Sequence, residues 1–178
     1  DRFTDVTEKD WFYDAVTWGS EKGLMVGTDK THFSPHMDTS RAMIATILWR
    51  MEGSPAARGE AAYTDCAPHS WYSGGVNWAD GSGVIKGYGD GRFGPDDPIT
   101  REQLALMLWR YADSPAAAED LEAFTDAHRA GDWAWEALRW AVEKGILTGR
   151  GDGILDPGGR ATRAEAAAMF ARYAQGQR

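Results

Sequence analysis

The feature that most constrains the fold is a pattern that occurs three times along the chain, with its copies starting about 60 residues apart. The copies run over 3–51, 63–111 and 124–173, and they open with the aromatic–Thr–Asp phrases FTDV, YTDC and FTDA. Each copy continues with two tryptophans seven residues apart, a glycine-rich stretch ending in proline, and an arginine that opens an apolar run. This period predicts supersecondary units that share one core.

Each copy is predicted to hold two helices. The first begins at an N-cap residue and ends near a glycine suited to a left-handed backbone. The predicted starts are Asp10, Ser70 and Asp132, and the predicted ends are Gly23, Gly83 and Gly145. The second helix has apolar residues at i, i+3, i+4 and i+7, as in Leu104, Met107, Leu108 and Tyr111. Any strands are short and lie in the segments LMVG, VIKG and ILTG.

Two helices cannot bury their own apolar stripes, so the three copies must pack together. Neither end of the chain has a polar capping repeat, which favours closure around a pseudo-threefold axis over an open row. Closure would place a groove at each repeat boundary. We divide the chain, as one integrated module, into repeat 1 (1–53), a linker (54–62), repeat 2 (63–113), a linker (114–123) and repeat 3 (124–178).

Charge and composition exclude several functional classes. The net charge of −8 argues against nucleic acid as a partner, since phosphate binding requires a basic face. No apolar run approaches the ~20 residues of a membrane-spanning helix, so we expect no membrane insertion. The four histidines, the lone Cys66 and the Gly/Asp loops match no zinc or calcium ligand pattern, so we expect neither a metal nor a cofactor.

The second helix of each copy begins with an arginine: Arg41, Arg101 or Arg163. Thr100 and Gln103 match a capping box, so the position of the helix start is accounted for without the arginine. A cation at this position faces the positive end of the helix dipole, at a cost of roughly 0.3–1 kcal/mol where it is exposed. A negatively charged group should therefore lie near the arginine and offset this cost.

Two sources of negative charge stay open. One is the aspartate of each opening phrase, Asp5, Asp65 or Asp126, acting as an intramolecular partner. The other is an anionic ligand, held by the planar guanidinium and by free N–H groups at the helix start. Both can hold together, with the aspartate orienting the arginine while the ligand's carboxylate takes its remaining donors.

Taken together, the aromatic–x–Asp openings, GYGDGRFGP, ITREQ and ATRAE resemble the S-layer homology (SLH) repeat of bacterial surface proteins. The resemblance covers nearly the whole chain. It implies a mainly α fold of three helix–loop–helix repeats closed into a pseudo-threefold spindle with a central helical bundle. It also implies non-covalent anchoring of a larger surface protein at the bacterial cell surface, by binding secondary cell-wall polysaccharide that commonly carries pyruvyl ketal on N-acetylmannosamine.

The resemblance and the residue chemistry together give a candidate site at each groove. The arginine would bind the ketal carboxylate, with the aspartate beside it. Trp11, Trp71 and Trp133 offer flat apolar faces for a sugar ring, although core packing is the competing role. Gly27, Gly87 and Gly149 would let the ligand approach the backbone.

Two other functions are alternatives to wall binding. A protein–protein interaction module of a surface assembly is the main alternative. A glycan hydrolase is less favoured, because threefold repetition gives equivalent sites, whereas a catalytic acid and base need different environments. We therefore expect no enzyme activity from this chain. Repeat 1 has Met43 where repeat 3 has Glu165, so its groove is the least complete.

Overall fold

The computed structural model describes residues 2–176 and is mainly helical, which confirms the predicted fold class. Six α-helices and no β-strand occur in this part of the chain. The helices are α1 (Tyr13–Glu21), α2 (Arg41–Met51), α3 (Ser73–Ser82), α4 (Arg101–Tyr111), α5 (Trp135–Glu143) and α6 (Arg163–Gly176). Two single 3-10 turns, Ala127–Arg129 and Asp132–Ala134, precede α5. None of the helices within 2–176 is both long and apolar enough to cross a membrane.

The chain forms two compact units, one made of Asp1–Asp38 with Thr100–Arg178 and the other of Thr39–Ile99. In the first unit α1 packs against α6, and α4 packs against α5. In the second unit α2 packs against α3. The second helix of each repeat therefore packs on the first helix of another repeat, and α6 of repeat 3 returns to α1 of repeat 1. No repeat buries its apolar stripe by itself.

The N-cap of each first helix lies two residues later than the sequence predicts, at Phe12, Tyr72 and Ala134. Asp10 does not cap α1. Its carboxylate instead accepts hydrogen bonds from the backbone N–H of Thr7 (2.7 Å) and from the Thr7 hydroxyl (3.1 Å), which closes a turn ahead of the helix. Such local side-chain bonds compete with helix capping. The ends agree with the prediction, since Gly23, Gly83 and Gly145 have left-handed φ of 69°, 74° and 67°.

The second helix of each repeat begins where the sequence predicts. Thr100 and Gln103 form a complete capping box at α4, whereas Ser40 gives α2 only its side-chain half. The segments LMVG, VIKG and ILTG, to which any short strands were assigned, form none. Three isolated antiparallel bridges within 2–176 lie elsewhere, just before the second helices. The bridged pairs are Asp38–Thr162, Ser40–Pro98 and Thr100–Arg160.

Candidate functional site

The aspartate of each opening phrase holds the loop that precedes a second helix. Asp5 accepts the backbone N–H of Phe33 (2.9 Å) and of Ser34 (2.8 Å). Burial alone would raise the pKa of Asp5, but these N–H donors outweigh it and lower the pKa below its ordinary value. The same clamp joins Asp65 to Phe93 and Gly94, and Asp126 to Leu155 and Asp156, at 2.8–2.9 Å.

The arginines bind the same loop residues from the other side. The Nε atom of Arg163 donates to the carbonyl of Phe33 (2.8 Å), Arg41 to that of Phe93 (2.8 Å), and Arg101 to that of Leu155 (3.0 Å). Each of these loop residues is completely buried. Aspartate and arginine are thus linked through one residue, whose N–H goes to the carboxylate and whose C=O goes to the guanidinium. The hypothesis of a direct aspartate–arginine ion pair is wrong within residues 2–176, because each aspartate reaches its arginine only through this intervening residue.

A second bond from each arginine reaches the residue that precedes a predicted glycine. The Nη2 atoms donate to the carbonyls of Val26 (2.6 Å), Lys86 (2.6 Å) and Thr148 (2.7 Å), each of which precedes one of the predicted glycines. A Cβ at Gly149 would lie 2.7 Å from the carbonyl oxygen of Ile154, and Gly27 and Gly87 are crowded in the same way. These glycines therefore have a structural reason of their own, which does not depend on ligand approach.

The two tryptophan sets differ in exposure. Trp11, Trp71 and Trp133 are 63%, 59% and 54% exposed, so core packing does not account for them. The Trp11 ring is braced edge-on by Phe12 at 5.4 Å. In the second set Trp140 is buried, while Trp18 and Trp78 are partly buried. The first set has the exposure that a stacking surface requires.

One cleft in the first unit brings a tryptophan and an arginine together, and we call it the Trp11 cleft. Its volume is about 350 Å³. It is lined by Trp11, Arg101, Leu147, Thr148, Gly149, Arg150, Glu165, Ala168, Met169 and Arg172. The charged side chains of the lining are three arginines and one glutamate, so the cleft is locally positive in a chain of net charge −8. All three repeats contribute to it.

Glu165 neutralises part of this positive charge. Its carboxylate pairs with Nη1 of Arg101 and with Nη2 of Arg150 (2.9 Å), and it accepts the Thr162 hydroxyl (3.2 Å). Thr162 still caps the N–H of Glu165 at 3.2 Å, but the Glu165 carboxylate is drawn to the arginines. Helix α6 therefore has only the Thr162 half of a capping box.

Arg41, in the second unit, has aromatic neighbours in place of a carboxylate. Its guanidinium carbon lies 4.7 Å from the ring centre of Tyr88 and 5.0 Å from that of Phe93. The Tyr88 hydroxyl donates to Asp97 at 2.6 Å, which fixes the ring. Burial lowers the pKa of Arg41. Equivalent arginines thus make the same backbone contacts but have different neighbouring side chains in different repeats.

Three charged residues of the Trp11 cleft were missed as site residues at the sequence level. Arg172 carries a detectable signal, because it lies nine residues after Arg163, as Arg50 does after Arg41 and Arg110 after Arg101. A repeated arginine at one helical position could have indicated a second cationic position.

Three similar repeats, each packing its second helix on the first helix of another repeat, define a tandem-repeat module. The family model of the S-layer homology domain matches residues 2–42, 62–105 and 123–167, so the chain belongs to the SLH family.

Relatives of two kinds match the chain. It is 31% identical over 172 residues to the S-layer protein sap of Bacillus anthracis, covering 96% of this chain and 21% of that protein. It is 27% identical over 175 residues to an amylopullulanase of Thermoanaerobacterium thermosulfurigenes, covering 94% of this chain and 9% of that protein. The chain thus spans about a fifth or less of the length of these relatives.

A solved structure also aligns with most of the chain. It is an undecaheme cytochrome from the S-layer of Carboxydothermus ferrireducens, with a TM-score of 0.49 and 20% identity, covering 98% of this chain and 23% of that one.

Family membership has direct consequences for location and role. SLH domains and their S-layer relatives belong to the bacterial cell surface, at the cell wall. The domain is a wall-binding module, and the relatives named as enzymes are larger proteins that match only over this domain.

Proposed function

We propose that this module anchors a larger surface protein by binding an acidic sugar of the secondary cell-wall polysaccharide, with a pyruvyl ketal as the acidic group. The observation that carries this proposal is the Trp11 cleft, where an exposed indole and three guanidinium groups meet in a space of about 350 Å³. We keep as site residues the twelve predicted from the sequence, which are one arginine, one aspartate, one tryptophan and one glycine from each repeat.

The chemistry of the lining fits such a sugar. The indole of Trp11 offers a flat apolar face, and its edge contact with Phe12 limits the orientations of the ring. Guanidinium groups bind carboxylates through short, charge-assisted hydrogen bonds. The excess of arginine over glutamate favours an acidic sugar over a neutral one.

The chain covers only a small share of the length of each relative, and this supports a larger parent protein. We infer that the chain is the anchoring part of a longer surface protein, as in the S-layer and glycanase relatives. Exposed Trp71 and Trp133 supply two further candidate contacts. Several modest sites on one polymer would gain avidity where the geometry allows them to bind together.

The direct test measures affinity for protein-free cell walls of the bacterium that makes the protein. Trp11→Ala should weaken binding strongly, because it removes the exposed ring, whereas Trp11→Phe should retain most of it. Walls depleted of ketal pyruvate should bind the wild type poorly. If Trp11→Ala binds like the wild type, the cleft is not the site. Equal binding to walls stripped of polysaccharide but retaining protein would favour the protein–protein alternative.

A further inference from the structure

The three arginines of the Trp11 cleft are not equally available to an acid. Arg101 has 4% of its side chain exposed, and its Nε, Nη1 and Nη2 atoms each already donate within the protein. Arg150 is divided between Asp156 (2.9 Å) and Glu165 (2.9 Å). Both of these guanidinium groups are therefore paired with a carboxylate before any ligand arrives.

Arg172 differs from both. Its Nη1 donates to the carbonyl of Ile146 at 3.2 Å, and no carboxylate of residues 2–176 lies within 4.0 Å of its guanidinium. The side chain is only partly exposed. Burial lowers the pKa of Arg172, and the nearby charge of Arg101 lowers it further. An unneutralised, half-buried cation beside a second cation is the position that an anion would stabilise most.

We infer that Arg172, and not Arg101, takes the acidic group of the bound sugar in the Trp11 cleft. Arg101 is then a positioning residue, which fixes the rim through the carbonyls of Thr148 and Leu155. This inference rests on the proposed function, since it assumes that the cleft binds an acidic sugar, and it names the residue that selects for the acid.

The layout of α6 gives the ligand a direction. Glu165, Ala168, Met169 and Arg172 line the cleft at i, i+3, i+4 and i+7, which places them along one face of the helix. At 1.5 Å per residue, Glu165 and Arg172 are about 10 Å apart along the axis. Polar hydroxyls would lie toward the Glu165–Arg101 pair, and the carboxylate toward Arg172, with the sugar ring over Ala168 and beside Trp11.

The test compares Arg172→Gln with the wild type on two preparations of protein-free walls, one native and one depleted of ketal pyruvate. Arg160→Gln is the matched control, because it removes the same charge from a side chain that is 65% exposed and paired with Asp38 outside the cleft. On native walls Arg172→Gln should bind roughly tenfold more weakly or worse, as expected for one lost charged hydrogen bond. On depleted walls it should bind like the wild type.

Each other outcome has a defined meaning. If Arg172→Gln binds native walls like the wild type while Trp11→Ala does not, the inference is overturned and the proposed function stands. If neither variant loses affinity, the cleft itself is not the site. An equal loss on both wall preparations would make Arg172 a structural residue and overturn the inference. Should Arg172→Gln fold poorly by thermal melting, Arg172→Lys replaces it, because lysine lacks the planar fork of arginine. It should bind native walls more weakly than the wild type and depleted walls equally well, and wild-type affinity for native walls would overturn the inference.

Discussion

Arg101 and Arg41 occupy the same position in neighbouring repeats and make the same backbone contacts, yet their surroundings differ. Both donate to the carbonyl of a buried loop residue and to the carbonyl before a crowded glycine. Arg101 then pairs with Glu165, whereas Arg41 lies over the ring of Tyr88. The repeat therefore specifies the backbone contacts, and a few variable side chains specify the chemistry around the guanidinium.

The difference can be traced to two positions of the repeat. Where Glu165 stands in repeat 3, repeat 2 has Gln103, which completes the α4 capping box and carries no charge. Where Arg150 follows the crowded glycine of repeat 3, repeat 2 has Tyr88. A charged pair at one site and an aromatic cover at the other indicate that equivalent arginines need not bind the same part of a ligand.

The largest expected effect concerns the backbone contacts that Arg41 and Arg101 share. Arg41→Ala and Arg101→Ala should each lower the free energy of unfolding by roughly 2–4 kcal/mol, because each leaves two loop carbonyls without their donor. The residues at risk include Phe93 and Leu155, which are completely buried. Urea unfolding followed by circular dichroism measures the loss. A loss below about 1 kcal/mol in both variants would mean that these contacts do not hold the loops.

The helices could be predicted from the sequence better than the site could. The apolar period located the second helices because burial repeats every turn. The start of α1 was predicted too early because Asp10 bonds to Thr7 instead of capping the helix. Glu165 pairs with an arginine 64 residues away, and no local spacing encodes that contact. The exposure of Trp11 was equally undetermined, since an indole suits both a core and a surface.

A smaller effect concerns pH and compares the two aspartate clamps. The lowered pKa of Asp65 and of Asp126 means that their contribution to stability is present above their unfolded pKa, about 3.9, and is lost as the pH falls through the lower folded values. Asp65→Asn and Asp126→Asn should therefore be less stable than the wild type at pH 7. Their deficit should shrink as the pH falls from about 5 to about 2, because the wild type loses what the variants already lack.

Urea unfolding across that pH range measures both clamps. Similar curves for the two variants are expected, because the clamps have matching bond lengths of 2.8–2.9 Å. A deficit that stays constant with pH would show that the carboxylate charge is not what holds the loop. A pH-dependent deficit at only one position would show that the clamps, too, have diverged between the repeats.

The smallest expected effect separates the ring of Tyr88 from its hydroxyl. Tyr88→Phe removes the bond to Asp97 but leaves a ring over Arg41, so it should lower the free energy of unfolding by only about 0.5–1 kcal/mol. Tyr88→Ala removes the ring as well and should lose more, since the cation–π contact goes with it. Urea unfolding distinguishes them. If both variants lose the same amount, the hydroxyl alone accounts for the contribution of Tyr88, and the aromatic cover does not distinguish the Arg41 site from the charged pairing at Arg101.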